Sequence, residues 1–371
     1  MIKQSAPALD TDVPLRPLTT LGVGGNADRL LRVTSAGDLV EYAAGMAADE
    51  PPPLLLGHGS NVVVSDSGFP GTVALMCGGG IEPRSVSGDR VEVVVDAGES
   101  LERLVRFAVD EGLAGVECLA GVPGTVGALP VQNVGAYGQD VSQILLHADV
   151  LDWRTGRRGR MTARECEFGY RDSRFKREPG RYAVLSVTLG LHRRGLGEPV
   201  AYQQLADELG IAVGDRVRLA EVEAAVLTIR RRKGMVVDPA DPDSRSVGSF
   251  FLNPTIPLPD WDAFSERLLA ATGRRPPHLA DVGDSVRTSA GWLIEQAGFT
   301  RGQRFGTARI STKHTLALVA EEGTKASDIW LAAGTIVNRV HDMCGVRLHP
   351  EPRFVGPFDE YPTPGGDGRH A

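Results

Sequence analysis

Serine in the run Gly248-Ser249-Phe250-Phe251 follows a glycine and precedes two aromatics. A serine hydroxyl is a poor acid. It can protonate carbon only where a developing alkoxide is stabilised or a proton is relayed. Gly248 permits close approach of backbone to a ligand, and Asn253 further along carries an amide that can donate to phosphate oxygens. A plain turn explains the same letters, so the other polar groups of the chain decide what the serine means.

Glu351 lies between Pro350 and Pro352, with Arg353 next. Flanking prolines restrict its backbone, which suits either a positioned acid or an exposed turn. In Phe168-Gly169-Tyr170-Arg171-Asp172-Ser173 a guanidinium sits beside an aromatic. Its planar fork matches a carboxylate, and a surface pair with Asp172 is the alternative. Arg230-Arg231-Arg232-Lys233 is a basic cluster where a helix should end, a place that favours cations in any protein. Tyr202 has no specificity by itself.

Two glycine-rich segments add backbone donors. Gly57-His58-Gly59-Ser60-Asn61 lets N–H groups reach a phosphate, with Ser60 and Asn61 as further donors. It is not the dinucleotide fingerprint, because a strand pattern follows it, and a tight turn remains the alternative. The longer segment has glycines at Gly121, Gly124, Gly127, Gly135 and Gly138, with Pro123 and Pro130 between them. A loop of that length is usually functional. It could lay bare backbone against a flat or anionic cofactor, with Gln132, Asn133 and Tyr137 as polar edges, or be a rigid structural loop.

Strands are expected at 54–56, 61–65, 91–97, 148–153, 182–189 and 315–319, and helices at 38–44, 101–109, 219–230, 290–297 and 326–341. In the helix near 219–230, Leu219, Val222, Val226 and Ile229 share one face. The first glycine segment thus joins two strands. The Pro/Asp run 237–243 punctuates the chain as a domain boundary. Residues 1–16 read as a loose tail, and those from about 359 as disordered. The class is α+β with mixed sheets.

At 371 residues, two or three domains are expected. A net charge of −7 supplies no basic footprint for nucleic acid. Cys77, Cys118, Cys166 and Cys344 form no CxxC pair and read as reduced, buried small hydrophobes of a cytosolic protein. Neither a membrane-spanning run, a secretory leader nor a metal-ligand spacing is expected.

Taken in chain order, GHGSN, GVPGTVGALPVQNVGAYG, FGYRDS, the Ser249 segment and HPEPRFVG resemble the UDP-N-acetylenolpyruvoylglucosamine reductases from about Leu18 to Gly356. These are the flavoenzymes that complete UDP-N-acetylmuramate for bacterial peptidoglycan. The resemblance implies a two-lobed FAD-binding domain of the vanillyl-alcohol-oxidase type at 17–235, with lobes of about 17–82 and 83–235. It also implies a smaller α+β substrate-binding domain at 236–346, a segment at 347–357 returning to the flavin, and a flexible tail at 358–371. By the same resemblance, Ser249, Arg171 and Glu351 are catalytic: Ser249 gives the proton and Arg171 holds the enolpyruvyl carboxylate. Tyr202, Lys233, Asn253 and Tyr170 bind the UDP-sugar. Gly57, Gly59, Ser60, Asn61, Gly121, Gly124, Gly127, Gly135, Arg230, Gly248 and Arg353 hold FAD. NADPH is the implied co-substrate, the UDP-sugar the implied partner, and a cytoplasmic monomer free of nucleic acid, membrane and metal the expected form. Tyr202 marks the subtype with a substrate-closing tyrosine. Ala128 and Leu129 stand where some members carry serines, and His349 where some carry glutamate. Two rival readings are another flavoenzyme of this fold, such as an oxidase, and a nucleotide-sugar binding protein without chemistry.

Overall fold

The computed structural model describes residues 9–47 and 49–358. They fold as two units. The first gathers the chain up to Val13, Ala27–Gly59 and Pro70–Arg232. The second gathers Pro14–Asn26, Ser60–Phe69 and the chain from Lys233 onward.

The first unit is built on a six-stranded antiparallel sheet in which Tyr182–Arg193 is central. Its neighbours are Leu145–Asp152 on one side, with Ala148 opposite Val187, and Arg90–Asp96 on the other, with Val95 opposite Val187. Alternation along Arg90–Asp96 turns Val91, Val93 and Val95 inward, each fully buried. The helix Leu101–Asp110 buries Leu101, Leu104, Val105 and Ala108 in the same core, the face its helical spacing predicts. The helix Leu219–Arg232 adds Val222, Val226 and Ile229. A second sheet runs in the order Leu9–Pro14, Asn26–Val33, Phe69–Met76, Leu54–Leu56.

The strand at Leu9–Pro14 corrects the expectation of a loose tail at 1–16. Its side chains are mostly exposed, so no apolar pattern announces it. Backbone pairing at a sheet edge is what orders it. Residues 1–8, and 359–371 of the expected carboxy-terminal tail, lie outside the described residues.

In the second unit, the helices Leu258–Thr272, Ala290–Gln296 and Ala326–Cys344 pack Phe264, Leu268, Leu293, Ile294, Ile329 and Ile336 around Phe250 and Phe251. Leu258–Thr272 went unforeseen because prolines crowd its start, where a helix tolerates them. The strand expected at 315–319 is Leu318–Ala320, paired with Ala308–Ile310. Residues 17–26 and 60–69, expected in the first lobe, and 14–16, expected in the tail, belong to this unit, and Leu21, Val23 and Val63 are buried in its core. Val62–Val64 also pairs in parallel with Arg353–Val355 rather than with the sheet that holds Leu54–Leu56.

Candidate active site

In the first unit the long glycine segment is a chain of tight turns. Gly121, Gly124 and Gly138 are left-handed, and so, without being glycine, are Asn133 at φ 45° and Tyr137 at φ 49°. Such conformations persist in bulky residues only where the surroundings over-determine them. Here they do. The buried Asn133 amide donates to the Gly169 carbonyl at 3.1 Å and accepts from the Ser142 N–H at 2.9 Å. The Ser173 hydroxyl donates to the Val131 carbonyl at 2.5 Å, so the 168–173 turn is fastened to the loop at several points.

Arg171 is itself left-handed, at φ 53°. Its guanidinium donates to the carbonyls of Asn133, at 3.3 Å, and of Gly135. It also lies 5.6 Å from the centre of the Tyr170 ring. Asp172 pairs instead with Arg177. The surface pair that sequence left open for Arg171 therefore does not form: this arginine is folded back onto the glycine loop.

Other glycines answer to packing. A Cβ at Gly57 would collide with the Thr125 hydroxyl, so the two glycine segments touch. One at Gly127 would come within 2.6 Å of Ala97, and one at Gly135 within 2.6 Å of Asp140. Gly59 supplies a left-handed turn at φ 59°.

At the end of Leu219–Arg232, the basic residues part company. Arg231 and Arg232 are exposed, with Arg232 paired to Glu208 at 2.5 Å. Arg230 is buried, and the Tyr137 phenol is a hydrogen-bonding neighbour. Burial lowers its affinity for a proton, and Tyr137 opposes that. Tyr202, half-exposed at the start of Gln203–Leu209, sets its ring edge-on to Tyr137, with centroids 5.8 Å apart.

In the second unit, Ser249 is held between anchored neighbours. The Phe250 N–H donates to the Leu316 carbonyl at 2.7 Å, and the Gly248 N–H to the Ser246 hydroxyl at 3.2 Å. Gly248 is left-handed at φ 74°, with open space where a side chain would stand. The aromatics that made the serine conspicuous are its anchors, as Phe250 and Phe251 are both buried. Residues 349–351 pair alongside: Leu252 N–H donates to the His349 carbonyl at 2.9 Å, and Glu351 N–H to the Phe250 carbonyl at 2.8 Å. The structure thus brings the Glu351 backbone beside the residue that follows Ser249.

Asn61 belongs to this cluster. Its amide donates to the Glu351 carbonyl at 3.4 Å, and its own carbonyl accepts from the Arg353 N–H at 3.0 Å. Ser60 precedes it in the same unit, and Arg353 is exposed. The Asn253 amide oxygen accepts from the Ala290 N–H at 3.0 Å, which turns its NH2 group the other way. Lys233 is followed by left-handed Gly234, where a Cβ would come within 2.8 Å of Asp243. Beside Lys233 stands His314, whose Nδ1 accepts from the Leu316 N–H at 3.2 Å. Burial, then the Lys233 and Arg301 charges, push this imidazole down to about 4, so it is neutral with its proton on Nε2. Sequence reasoning missed Tyr137 as a junction and His314 entirely. The lone histidine has no motif around it.

Residues 27–161 match the family described as FAD binding domain, and residues 239–355 the one described as UDP-N-acetylenolpyruvoylglucosamine reductase, C-terminal domain. The UDP-N-acetylenolpyruvoylglucosamine reductase of Thermobifida fusca is 45% identical over 347 residues, 93% of this chain and 97% of that protein. That of Salinispora arenicola is 45% identical over 349 residues, 93% and 95% of the two chains. The crystal structure of the Thermus caldophilus UDP-N-acetylenolpyruvylglucosamine reductase is 26% identical, with a TM-score of 0.63, and covers 94% of this chain and 100% of that one.

The residues present fit FAD. The two glycine loops turn through left-handed Gly59, Gly121 and Gly124, backbone of the kind that lines anion-binding concavities. A buried guanidinium beside these loops also suits an anionic, planar guest.

Proposed function

Because the chain belongs to the UDP-N-acetylenolpyruvoylglucosamine reductase family and carries its FAD-binding domain, we propose that it reduces UDP-N-acetylglucosamine enolpyruvate to UDP-N-acetylmuramate at the expense of NADPH. When bound, FAD supplies from N5 the hydride that reaches the terminal enolpyruvyl carbon, and NADPH replenishes it. Gly57, Gly59, Ser60, Asn61, Gly121, Gly124, Gly127, Gly135, Gly248, Arg230 and Arg353 are the residues that would hold it.

The remaining work falls to side chains of the protein. Negative charge develops on the carbon next to the substrate carboxylate. Arg171 binds that carboxylate, and its anchorage on the Asn133 and Gly135 carbonyls orients the fork in advance, which is where electrostatic stabilisation gains most. Ser249 donates the proton to the charged carbon, with Glu351 assisting, and the product is the D-lactyl ether. Lys233 and Asn253 take the diphosphate, Tyr170 lines the sugar side, and Tyr202 closes over the nucleotide. The observation that carries this reading is the pairing of Glu351 to Phe250, which sets a carboxylate-bearing residue beside the serine segment. It also favours an enolpyruvyl reductase over an oxidase, which needs no proton donor to carbon. No helix among the described residues is long and apolar enough to cross a membrane.

Anaerobic half-reactions test the proposal. Protein reduced by NADPH should lose its flavin absorbance near ~450 nm and regain it on mixing with the enolpyruvyl substrate. Reduced flavin that persists in the presence of that substrate would refute it.

A further inference from the structure

Tyr137 joins two groups to which the proposed function gives separate tasks. Its ring meets that of Tyr202 in a T-shaped contact, at 5.8 Å between centroids and 83° between planes. Its hydroxyl hydrogen-bonds the buried Arg230 guanidinium. Its backbone is left-handed, at φ 49°, a conformation that an aromatic residue adopts only under constraint.

The constraint has identifiable sources. Gly138, next in the chain, lies so close to Ala201 that an added Cβ would come within 2.8 Å of the Ala201 Cβ. The residue after Tyr137 therefore abuts the residue before Tyr202. Behind both segments stands Glu117, fully buried. Its carboxylate accepts from the Gln139 amide at 2.9 Å and from the Glu198 N–H at 2.7 Å, one bond to each segment. The Gln139 amide oxygen in turn accepts from the Cys118 N–H at 3.0 Å. Hydrogen bonds of a buried carboxylate are costly to break, so the two segments are registered against each other.

We propose that Tyr137 is a positioning residue that couples Tyr202 to Arg230, so that the substrate-closing ring and the flavin-side guanidinium are set by one side chain. This rests on the roles given above to Tyr202 and Arg230. The hydroxyl and the ring have separable duties: the hydroxyl orients the guanidinium, and the ring seats Tyr202.

Two substitutions separate them. Tyr137→Leu removes both contacts. It should raise the KM for the enolpyruvyl substrate roughly 3- to 10-fold, the range expected from loss of one aromatic pair, and shift the flavin midpoint potential. Tyr137→Phe keeps the ring, so it should restore most of the KM lost by the leucine variant while its flavin potential remains displaced. In the double variant Tyr137→Leu/Tyr202→Leu, KM should be no worse than in the worse single variant, because both changes break the same contact. The idea is overturned if Tyr137→Phe leaves the flavin potential at its wild-type value, if Tyr137→Leu leaves KM unchanged, or if the two leucine effects multiply. Should the leucine variant fail to fold, the potential of the phenylalanine variant decides. Wild-type protein that binds no FAD or does not turn over the enolpyruvyl substrate would refute the parent reading before any variant is made.

Discussion

Ser249 acquires meaning from what its neighbours do. Phe250 and Phe251 are committed to the core, and Gly248 takes the left-handed turn that leaves the serine between fixed points. A general acid needs this kind of fixed placement more than it needs an unusual pKa. Ser249→Ala should therefore separate the half-reactions. Reduction of the flavin by NADPH should stay near the wild-type rate. Reoxidation by the enolpyruvyl substrate should slow by ~10²–10⁴-fold, the usual worth of a positioned proton donor. Stopped-flow absorbance reads each step by itself. Equal slowing of both would mean that the serine only shapes the flavin site. Arg171 behaves similarly at this scale. With two of its N–H groups on backbone carbonyls, its orientation depends on the planar fork.

At the scale of elements, the segment after Lys233 is secured by one buried carboxylate. Asp243, 3% exposed, accepts from the Arg309 guanidinium at 2.5 Å and from the Thr312 N–H at 3.0 Å and hydroxyl at 2.5 Å. Burial works against its ionisation, but these hydrogen bonds and the Arg309 charge outweigh it and hold the carboxyl below its usual range. Asp243→Ala should cost ~1–3 kcal/mol, because it leaves the Thr312 N–H and hydroxyl without their acceptor and the buried Arg309 guanidinium with Glu321 alone, and Asp243→Asn should cost less. The pH dependence has a definite sign. A depressed native pKa stabilises the fold fully above the unfolded carboxyl value of about 3.9, and that contribution fades as pH falls through the native value. Urea denaturation should thus show a constant gap between wild type and Asp243→Asn at neutral pH, narrowing on acidification. A gap that widened instead would mean the carboxyl is not ionised in the folded protein.

For the molecule as a whole, the two matched domains and relatives of nearly equal length make this an FAD-dependent oxidoreductase throughout, with no large segment left without a counterpart. Its thiols are unequal. Cys77 is exposed, against the expectation that all four cysteines are buried, because it stands just past the end of the strand Phe69–Met76. Cys118, Cys166 and Cys344 are buried, and burial, with Glu165 nearby, pushes the Cys166 thiol up to about 12. In the native protein a disulfide reagent should modify Cys77 quickly and the others only after denaturant is added. Rapid labelling of Cys118 or Cys166 in folded protein would contradict the core described here.

Local pattern was legible in the sequence wherever one face of an element meets a core. The valines of Arg90–Asp96, the apolar stripe of Leu101–Asp110 and the face of Leu219–Arg232 were all readable from spacing alone, since periodicity is a property of the segment itself. The glycine loops and the Ser249 segment were readable by residue type. Pairing was not. That Asn61 bonds the 351–353 segment, that Arg171 turns to the glycine loop, and that Tyr137 stands between Tyr202 and Arg230 are long-range choices. Each was settled by which buried polar group could find a partner once distant segments met, and no stretch of sequence carries that information by itself.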